Sequence, residues 1–144
     1  MQNLLNYING KLAEPCSGQW LDNINPAEGK IYCRVPDSTK EDIQLAVDAA
    51  QNAFSSWSTM PTEERTKILW KLADLIDRDL EKLALAESID NGKTVKLAKS
   101  LDIPRAASNI RFYATAAQHF ASEAHVNEND SVNYTTRFPI GVVG

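Results

Sequence analysis

Arg105 is the residue of this sequence whose placement most clearly suggests chemistry. It follows Asp102-Ile103-Pro104, and Pro104 fits the first turn of a predicted helix because no N–H partner is needed there. A cation in a first turn opposes the positive end of the helix dipole, so we expect another interaction to hold it. Either Arg105 forms an ion pair with Asp102 or a neighbouring carboxylate, or its guanidinium binds a substrate carboxylate through two parallel hydrogen bonds.

Two glycine motifs imitate nucleotide-binding loops without meeting their requirements. Gly92-Lys93-Thr94 resembles the end of a phosphate-binding loop, but that loop needs a glycine where this chain has Glu87, and a strand where the pattern here is helical. We interpret it as a helix C-cap followed by a cation near the helix dipole. Gly141 and Gly144 lack the first glycine and the following helix of a dinucleotide fingerprint. Neither motif predicts a cofactor site.

The remaining titratable residues are better explained by structure than by catalysis. A group of acids alternates with bases, which predicts ion pairs on a solvated helical face rather than a catalytic pair. The acids are Asp74, Asp77, Asp79 and Glu81, and the bases are Lys71, Arg78 and Lys82. His119 and His125 have a spacing that fits no helical metal motif. Cys16 and Cys33 form no C-x-x-C pair, and we interpret them as reduced thiols.

The composition describes a small acidic globular domain. The 144 residues carry 15 Lys and Arg against 19 Asp and Glu, a formal net charge of −4, and 43% of them are hydrophobic. This length suits about one domain, and the acidic balance argues against nucleic-acid binding. No long apolar run predicts a membrane span, and the first residues do not look like a secretory signal. We therefore expect a cytoplasmic protein that partners neither nucleic acid nor membrane.

The elements that must position Arg105 change in type along the chain. Residues 6–36 alternate apolar and polar side chains between glycine and proline turns, which predicts an antiparallel β meander. Residues 38–121 have helical periodicity and predict four helices. The first helix has two overlapping capping boxes at its start, Ser38 with Glu41 and Thr39 with Asp42. The second helix is predicted to end near Asp77 or Arg78, the third to end at Asn91-Gly92, and the fourth to start around Asp102.

The C-terminal residues predict a strand and an unfinished apolar segment. Residues 122–130 are polar, Val132–Phe138 alternates as a strand, and Pro139 and Gly141 interrupt the pattern. The following Val142-Val143-Gly144 has neither a partner strand nor a closing polar residue. We therefore expect the chain to be a piece of a longer protein.

Short motifs spread over nearly the whole chain occur together in a particular order. They are Tyr7-Ile8-Asn9-Gly10, Asn25-Pro26-Ala27-x-Gly29, Ala53-Phe54-x-x-Trp57, Glu64-Arg65, Leu72-Ala73-Asp74-Leu75-Ile76, Asp90-Asn91-Gly92-Lys93 and Pro139-Ile140-Gly141-Val142-Val143-Gly144. No single motif is diagnostic, but the set resembles the N-terminal part of the NAD(P)-dependent aldehyde dehydrogenase superfamily. Within it, Asp102-Ile103-Pro104-Arg105 and Asn109-x-Arg111-Phe112 look most like the 2-hydroxymuconate and 2-aminomuconate semialdehyde dehydrogenases.

This resemblance implies an α/β family fold of which the chain is the N-terminal piece, mainly helical, with an antiparallel meander before the helices and a β arm after them. Residues 1–131 would form the N-terminal part of the NAD-binding domain, and residues 132–144 the start of the oligomerisation ribbon of a homo-oligomer. The family's catalytic and cofactor-binding residues match no position here. The full-length protein is thus expected to oxidise a small-molecule aldehyde with NAD or NADP, and the chain alone to bind no cofactor and be inactive.

The resemblance also implies roles for individual side chains. Arg105 would bind the carboxylate of a carboxylated semialdehyde in the substrate tunnel, and Leu101, one turn earlier, would line the same wall. The backbone carbonyl of Asn23 and the carboxylate of Asp90 would hold a monovalent cation, because hard oxygen donors suit such an ion. A plain capping or pairing role for Asp90 stays open. The alternative function is a stand-alone helical interaction and oligomerisation module without catalysis.

Overall fold

The computed structural model describes residues 2–128 and 131–144. The strands are β1 (Gln2–Asn3), β2 (Asn6–Ile8), β3 (Lys11–Ala13), β4 (Trp20–Asn25), β5 (Lys30–Pro36), β6 (Ala124–Val126) and β7 (Val132–Tyr134). The α-helices are α1 (Lys40–Thr59), α2 (Thr62–Arg78), α3 (Leu80–Asn91), α4 (Val95–Leu97) and α5 (Ile103–His119), with a π-helical turn over Ala98–Asp102. The mainly helical fold with small flanking sheets confirms the expected class.

The N-terminal strands form two small sheets rather than one continuous meander. β2 pairs with β3 and β4 pairs with β5, both antiparallel as predicted. β3 and β4 lie in different sheets, and β1 adds a parallel strand to β5. The break has a local cause, because the backbone N–H of Cys16 in the connecting loop donates to the Asp42 carboxylate at 2.9 Å. This bond directs the chain from the first hairpin toward the start of α1.

Asp42 decides which of the two predicted capping boxes begins α1. Thr39 is the N-cap residue, and its backbone N–H donates to Asp42 Oδ2 at 2.8 Å. Asp42 is 3% exposed, so these backbone donors replace the water it has lost. Ser38 has a different partner, because its hydroxyl contacts the side-chain amide of Asn6 in β2 at 2.9 Å. The Thr39 box is therefore the one that forms.

Helices α2 and α5 pack against each other through small side chains. Thr66 and Ala73 of α2 are buried, as are Ala107 and Ala114 of α5, and the matching seven-residue spacing places both pairs on one face of each helix. Thr66 Oγ1 donates to the Ala114 carbonyl at 3.0 Å. Small residues allow the two backbones to approach closely, so this seam fixes α5 against α2.

The helical run that contains Arg105 begins earlier than predicted. α5 itself begins at Ile103, with Asp102 at its N-cap position and Pro104 in its first turn, as predicted. A helical segment that was not predicted starts at Val95 after the N-cap Thr94 and leads into α5 through the π-helical turn. Pro104 supplies no N–H and its ring crowds the preceding turn, and the wider π turn, in which Ile103 N–H donates to the Ala98 carbonyl, accommodates it. Arg105 is therefore in the first turn of α5 as predicted, but that turn continues the preceding helical segment and is not a free helix end.

The C-terminal segment contains a short hairpin in place of one long strand. β7 covers only part of the predicted Val132–Phe138 strand, and it pairs antiparallel with β6, which lies in the polar stretch. Beyond it, the Arg137 guanidinium lies 4.7 Å from the Phe120 ring centroid, which turns the chain back toward α5. Val142-Val143-Gly144 forms no strand in the described structure. Of the helices within the described ranges, none is long and apolar enough to cross a membrane.

Candidate functional site

A β-bulge positions a side chain of the first of the two candidate sites. In the β4–β5 pair, Asn23 lies opposite Cys33 and Ile24 lies opposite Ile31, so Tyr32 is the extra residue. A bulge of this kind re-aims side chains and increases the local twist. Here the Tyr32 side chain reaches the C-terminal end of α3, where Asp90 lies.

Asn23, Tyr32 and Asp90 form a hydrogen-bonded cluster. Asp90 Oδ1 accepts a bond of 2.6 Å from the Tyr32 hydroxyl and one of 2.9 Å from Asn23 Nδ2. Asn23 Nδ2 also lies 3.0 Å from the Tyr32 hydroxyl oxygen. The hydrogen bond from Tyr32, and after it the one from Asn23, lowers the pKa of Asp90. The bond between Tyr32 and Asp90 also raises the pKa of Tyr32. The Asp90 carboxyl is thus held as an anion.

This cluster brings together the two residues expected to hold a cation, Asn23 and Asp90, although they are far apart in the sequence. It adds Tyr32, which sequence reasoning missed. Alternation along β5 assigned Tyr32 to a sheet face like any other residue, and no pattern signalled the bulge that redirects it. The cluster borders a groove of about 710 Å³ between the β4–β5 pair, α3 and the start of α5, with apolar lining from Leu4, Val35, Leu83 and Ile103.

Arg105 and Leu101 form the second candidate site, and both side chains are exposed. Of the two alternatives for Arg105, the ion pair with Asp102 does not form, and the Asp102 carboxylate is instead 2.9 Å from Lys93 Nζ. Within residues 2–128 and 131–144, Arg105 makes no salt bridge to any acid. Its charge is therefore available to an external anion.

Lys93 bridges α3 and the π turn. Its Nζ lies 2.9 Å from Asp102 and 3.5 Å from Glu87, and the hydrogen bond with Asp102 raises the pKa of Lys93. The preceding Gly92 ends α3 in the left-handed conformation at φ 80°. The structure thus confirms that Gly92-Lys93-Thr94 is a C-cap followed by a structural cation.

The other titratable residues also take structural roles. The predicted ion pairs of the acidic group form, but Asp74 and Asp77 both pair at 2.7 Å with Arg111 of α5 rather than with bases of their own helix. Cys16 and Cys33 are unpaired thiols, and a hydrogen bond to Asp42 raises the pKa of Cys16. In the part of the chain that the structure describes, no group of three or more His, Cys, Asp or Glu side chains could hold a metal ion.

Solved structures of two dehydrogenases share this fold. Indole-3-acetaldehyde dehydrogenase in its apo form superposes with a TM-score of 0.90 at 29% identity, over 98% of this chain and 33% of that one. An NAD⁺ complex of aldehyde dehydrogenase from Bacillus cereus superposes with a TM-score of 0.87 at 35% identity, over 92% of this chain and 28% of that one. The chain therefore has the fold of about a third of each of these structures.

The chain belongs to the aldehyde dehydrogenase family, whose profile matches residues 13–144. It is 46% identical over 140 residues to 2-aminomuconic semialdehyde dehydrogenase from Bos taurus, covering 96% of this chain and 28% of that protein. It is 45% identical over 142 residues to the enzyme of the same name from Homo sapiens, covering 98% and 29%. The chain thus spans less than a third of the length of these relatives, and the family resemblance drawn from its motifs is confirmed.

Proposed function

We propose that this chain is the N-terminal part of an enzyme that oxidises a carboxylated semialdehyde to the corresponding acid with NAD or NADP. The family membership supports aldehyde oxidation, and relatives named 2-aminomuconic semialdehyde dehydrogenase support the substrate class. The Bacillus cereus structure described as an NAD⁺ complex supports the cofactor. The family match does not favour the alternative of a stand-alone interaction module.

The observation that carries the substrate assignment is the free charge of Arg105. Arg105 is exposed in this chain. If the rest of the full-length enzyme encloses it in a substrate tunnel, its guanidinium is unfavourable there without an anion, because its desolvation is then uncompensated. A substrate carboxylate remote from the aldehyde would complete the pair through two parallel hydrogen bonds. That contact fixes the distance between the carboxylate end and the reacting carbonyl. Leu101, exposed and one turn earlier, would supply an apolar part of the same wall.

The reacting groups lie outside this chain. When bound, NAD or NADP accepts the hydride released from the aldehyde carbon. We assign residues 1–131 to the outer part of the cofactor-binding domain and residues 132–144 to the beginning of the ribbon through which copies associate. The 144-residue chain alone is therefore expected to be inactive. Formation of NADH on mixing the purified chain with NAD and an aldehyde would contradict this assignment.

A substrate comparison in the full-length enzyme tests the role of Arg105. Replacement by alanine should raise KM for a carboxylated semialdehyde by a factor equivalent to about 2 to 5 kcal/mol of binding free energy. This is the loss that follows from breaking a desolvated charge pair. KM for an uncharged aldehyde of similar length should be unchanged. Leu101→Ala is the matched control, because losing an apolar wall should affect both substrates alike. Equal effects of Arg105→Ala on both aldehydes would overturn the proposal.

We also propose that Asp90 and the backbone carbonyl of Asn23 hold a monovalent cation in the full-length protein. Both are hard oxygen donors, and their residues are joined by a hydrogen bond of 2.9 Å. The bonds from Tyr32 and Asn23 converge on Oδ1 of Asp90, and they keep the carboxylate ionised. The cluster therefore holds the Asp90 carboxylate as an oriented anion through the side chain of the strand residue Asn23.

A further inference from the structure

Lys93 holds the carboxylate that is nearest to Arg105 along the preceding helical segment, and Arg105 makes no salt bridge within the described residues. Asp102 precedes Arg105 by three residues, a spacing at which helical side chains are neighbours and opposite charges attract. Asp102 nevertheless pairs with Lys93 Nζ at 2.9 Å, and its side chain is only 26% exposed. A half-buried carboxylate needs a cationic or hydrogen-bonding partner. Two cations are therefore in a position to compete for it.

The backbone of Lys93 is fixed before its side chain reaches Asp102. Its N–H donates to Asn91 Oδ1 at 2.9 Å, and its carbonyl accepts from Ser88 Oγ at 2.5 Å. Gly92, in the left-handed conformation, directs the chain out of α3 at this point. The backbone of Lys93 is thus already fixed, and the conformational freedom that Lys93 loses on pairing is confined to its side chain.

The π turn supplies the other half of the arrangement. Asp102 is its last residue, and Ala98, its first, is 0% exposed. Ile103 N–H donates to the Ala98 carbonyl across the turn, so the backbone that carries Asp102 is anchored in the interior. Glu87 of α3 also lies 3.5 Å from Lys93 Nζ, so the ammonium contacts two carboxylates. The anchored π turn thus holds Asp102 where Lys93, at the end of α3, reaches it.

We propose that Lys93 is a specificity-determining positioning residue, which keeps Arg105 available for a substrate carboxylate by occupying Asp102. Lys93 touches no reacting atom in this arrangement. It acts by removing an internal competitor of the substrate. This inference rests on the proposed role of Arg105 and adds that the role depends on a cation twelve residues earlier in the chain.

Steady-state kinetics of the full-length enzyme with a carboxylated semialdehyde and an uncharged aldehyde of similar length test this proposal. In Lys93→Met, Asp102 is released to pair with Arg105, and KM for the carboxylated substrate should rise by about 3- to 10-fold, as expected for a competing ion pair at the edge of a site. KM for the uncharged aldehyde should not change. Lys93→Arg keeps the charge and should behave as the wild type.

A double variant separates this competition from a general structural effect of replacing Lys93. In the double variant Lys93→Met with Asp102→Asn, the competing anion is gone, so KM for the carboxylated substrate should return to the wild-type value. Asp102→Asn alone should leave KM for both substrates unchanged. A crystal structure of full-length Lys93→Met should show the Asp102 carboxylate in contact with the Arg105 guanidinium.

The outcomes distinguish this inference from the function on which it rests. If Arg105→Ala impairs only the carboxylated substrate while Lys93→Met has no effect, the role of Lys93 is overturned and that of Arg105 stands. The role of Lys93 is also overturned if Lys93→Met impairs the enzyme and Asp102→Asn fails to restore it, because Lys93 then acts through the fold. If Arg105→Ala affects both substrates equally, the proposed function and this inference are both overturned.

Discussion

Gly92 contacts Pro26, and this contact joins two of the motifs on which the family resemblance depends. A Cβ atom placed on Gly92 would lie 3.2 Å from Pro26 Cβ and 3.6 Å from Pro26 Cγ. Pro26 belongs to the turn between β4 and β5, and Gly92 is the C-cap of α3 with φ 80°. The glycine therefore meets two requirements at once, since it adopts a left-handed backbone and leaves room for the proline ring.

Replacing Gly92 by alanine should destabilise the fold for both reasons. Gly18→Ala is the matched control, because Gly18 has φ +66° but nothing within 4 Å of its would-be Cβ. The control should lower the free energy of unfolding by about 1 to 2 kcal/mol for the left-handed backbone alone. Gly92→Ala should lower it by about 1 kcal/mol more, because the new methyl group crowds Pro26. Urea unfolding of both variants measures the difference, and equal losses would show that the Pro26 contact carries no weight.

The buried Asp42 should make stability depend on pH. The backbone N–H of Thr39, followed by that of Cys16, lowers the pKa of Asp42 below its ordinary value. A carboxyl whose pKa is lowered by folding stabilises the folded state above its unfolded pKa, about 3.9, and this contribution is lost as the pH falls through the folded value. Asp42→Asn should therefore unfold at lower urea than the wild type at pH 6, and the gap should narrow below about pH 4. A gap that is constant from pH 6 to pH 2 would contradict this account.

The proposed cation can be located directly. Crystals of the full-length protein grown in potassium or sodium should show an ion beside the Asp90 carboxylate and the Asn23 carbonyl, because both oxygens are hard donors. Replacing potassium by rubidium should add an anomalous signal at the same place, and Asp90→Asn should abolish it. Glu87→Gln is the control, since it removes a carboxylate of the same groove without touching the cluster. Water alone beside Asp90 would refute the site.

The C-terminal hairpin should make the chain associate. β6 and β7 form an isolated antiparallel pair whose residues are exposed, including Val126, Val132 and Tyr134. A two-stranded pair has open edges that invite a further strand, so we expect a homodimer or a larger assembly. Val132→Lys with Tyr134→Lys should shift the chain to monomer, whereas Ile140→Lys, outside the hairpin, should not. Light scattering measures the mass, and a monomer of the wild-type chain at high concentration would contradict the expectation.

Local sequence determined the parts of this fold whose interactions lie within one helical turn. Thr39 and Asp42 predict the start of α1 because a capping box needs only residues three apart. Gly92 predicts the end of α3 because only glycine adopts its left-handed backbone without strain. The motif order from Tyr7 to Gly144 also sufficed to identify the family.

The tertiary structure alone decided which distant side chains meet. Tyr32 joins Asp90 through a bulge created by strand pairing, and Lys93 pairs with Asp102 because α3 lies against the π turn. The true start of the last helical run, at Val95, was likewise hidden, because the π turn absorbs Pro104 and conceals the continuity. Contacts of this kind depend on how whole elements pack, and the residues next to a side chain in the sequence do not determine that packing.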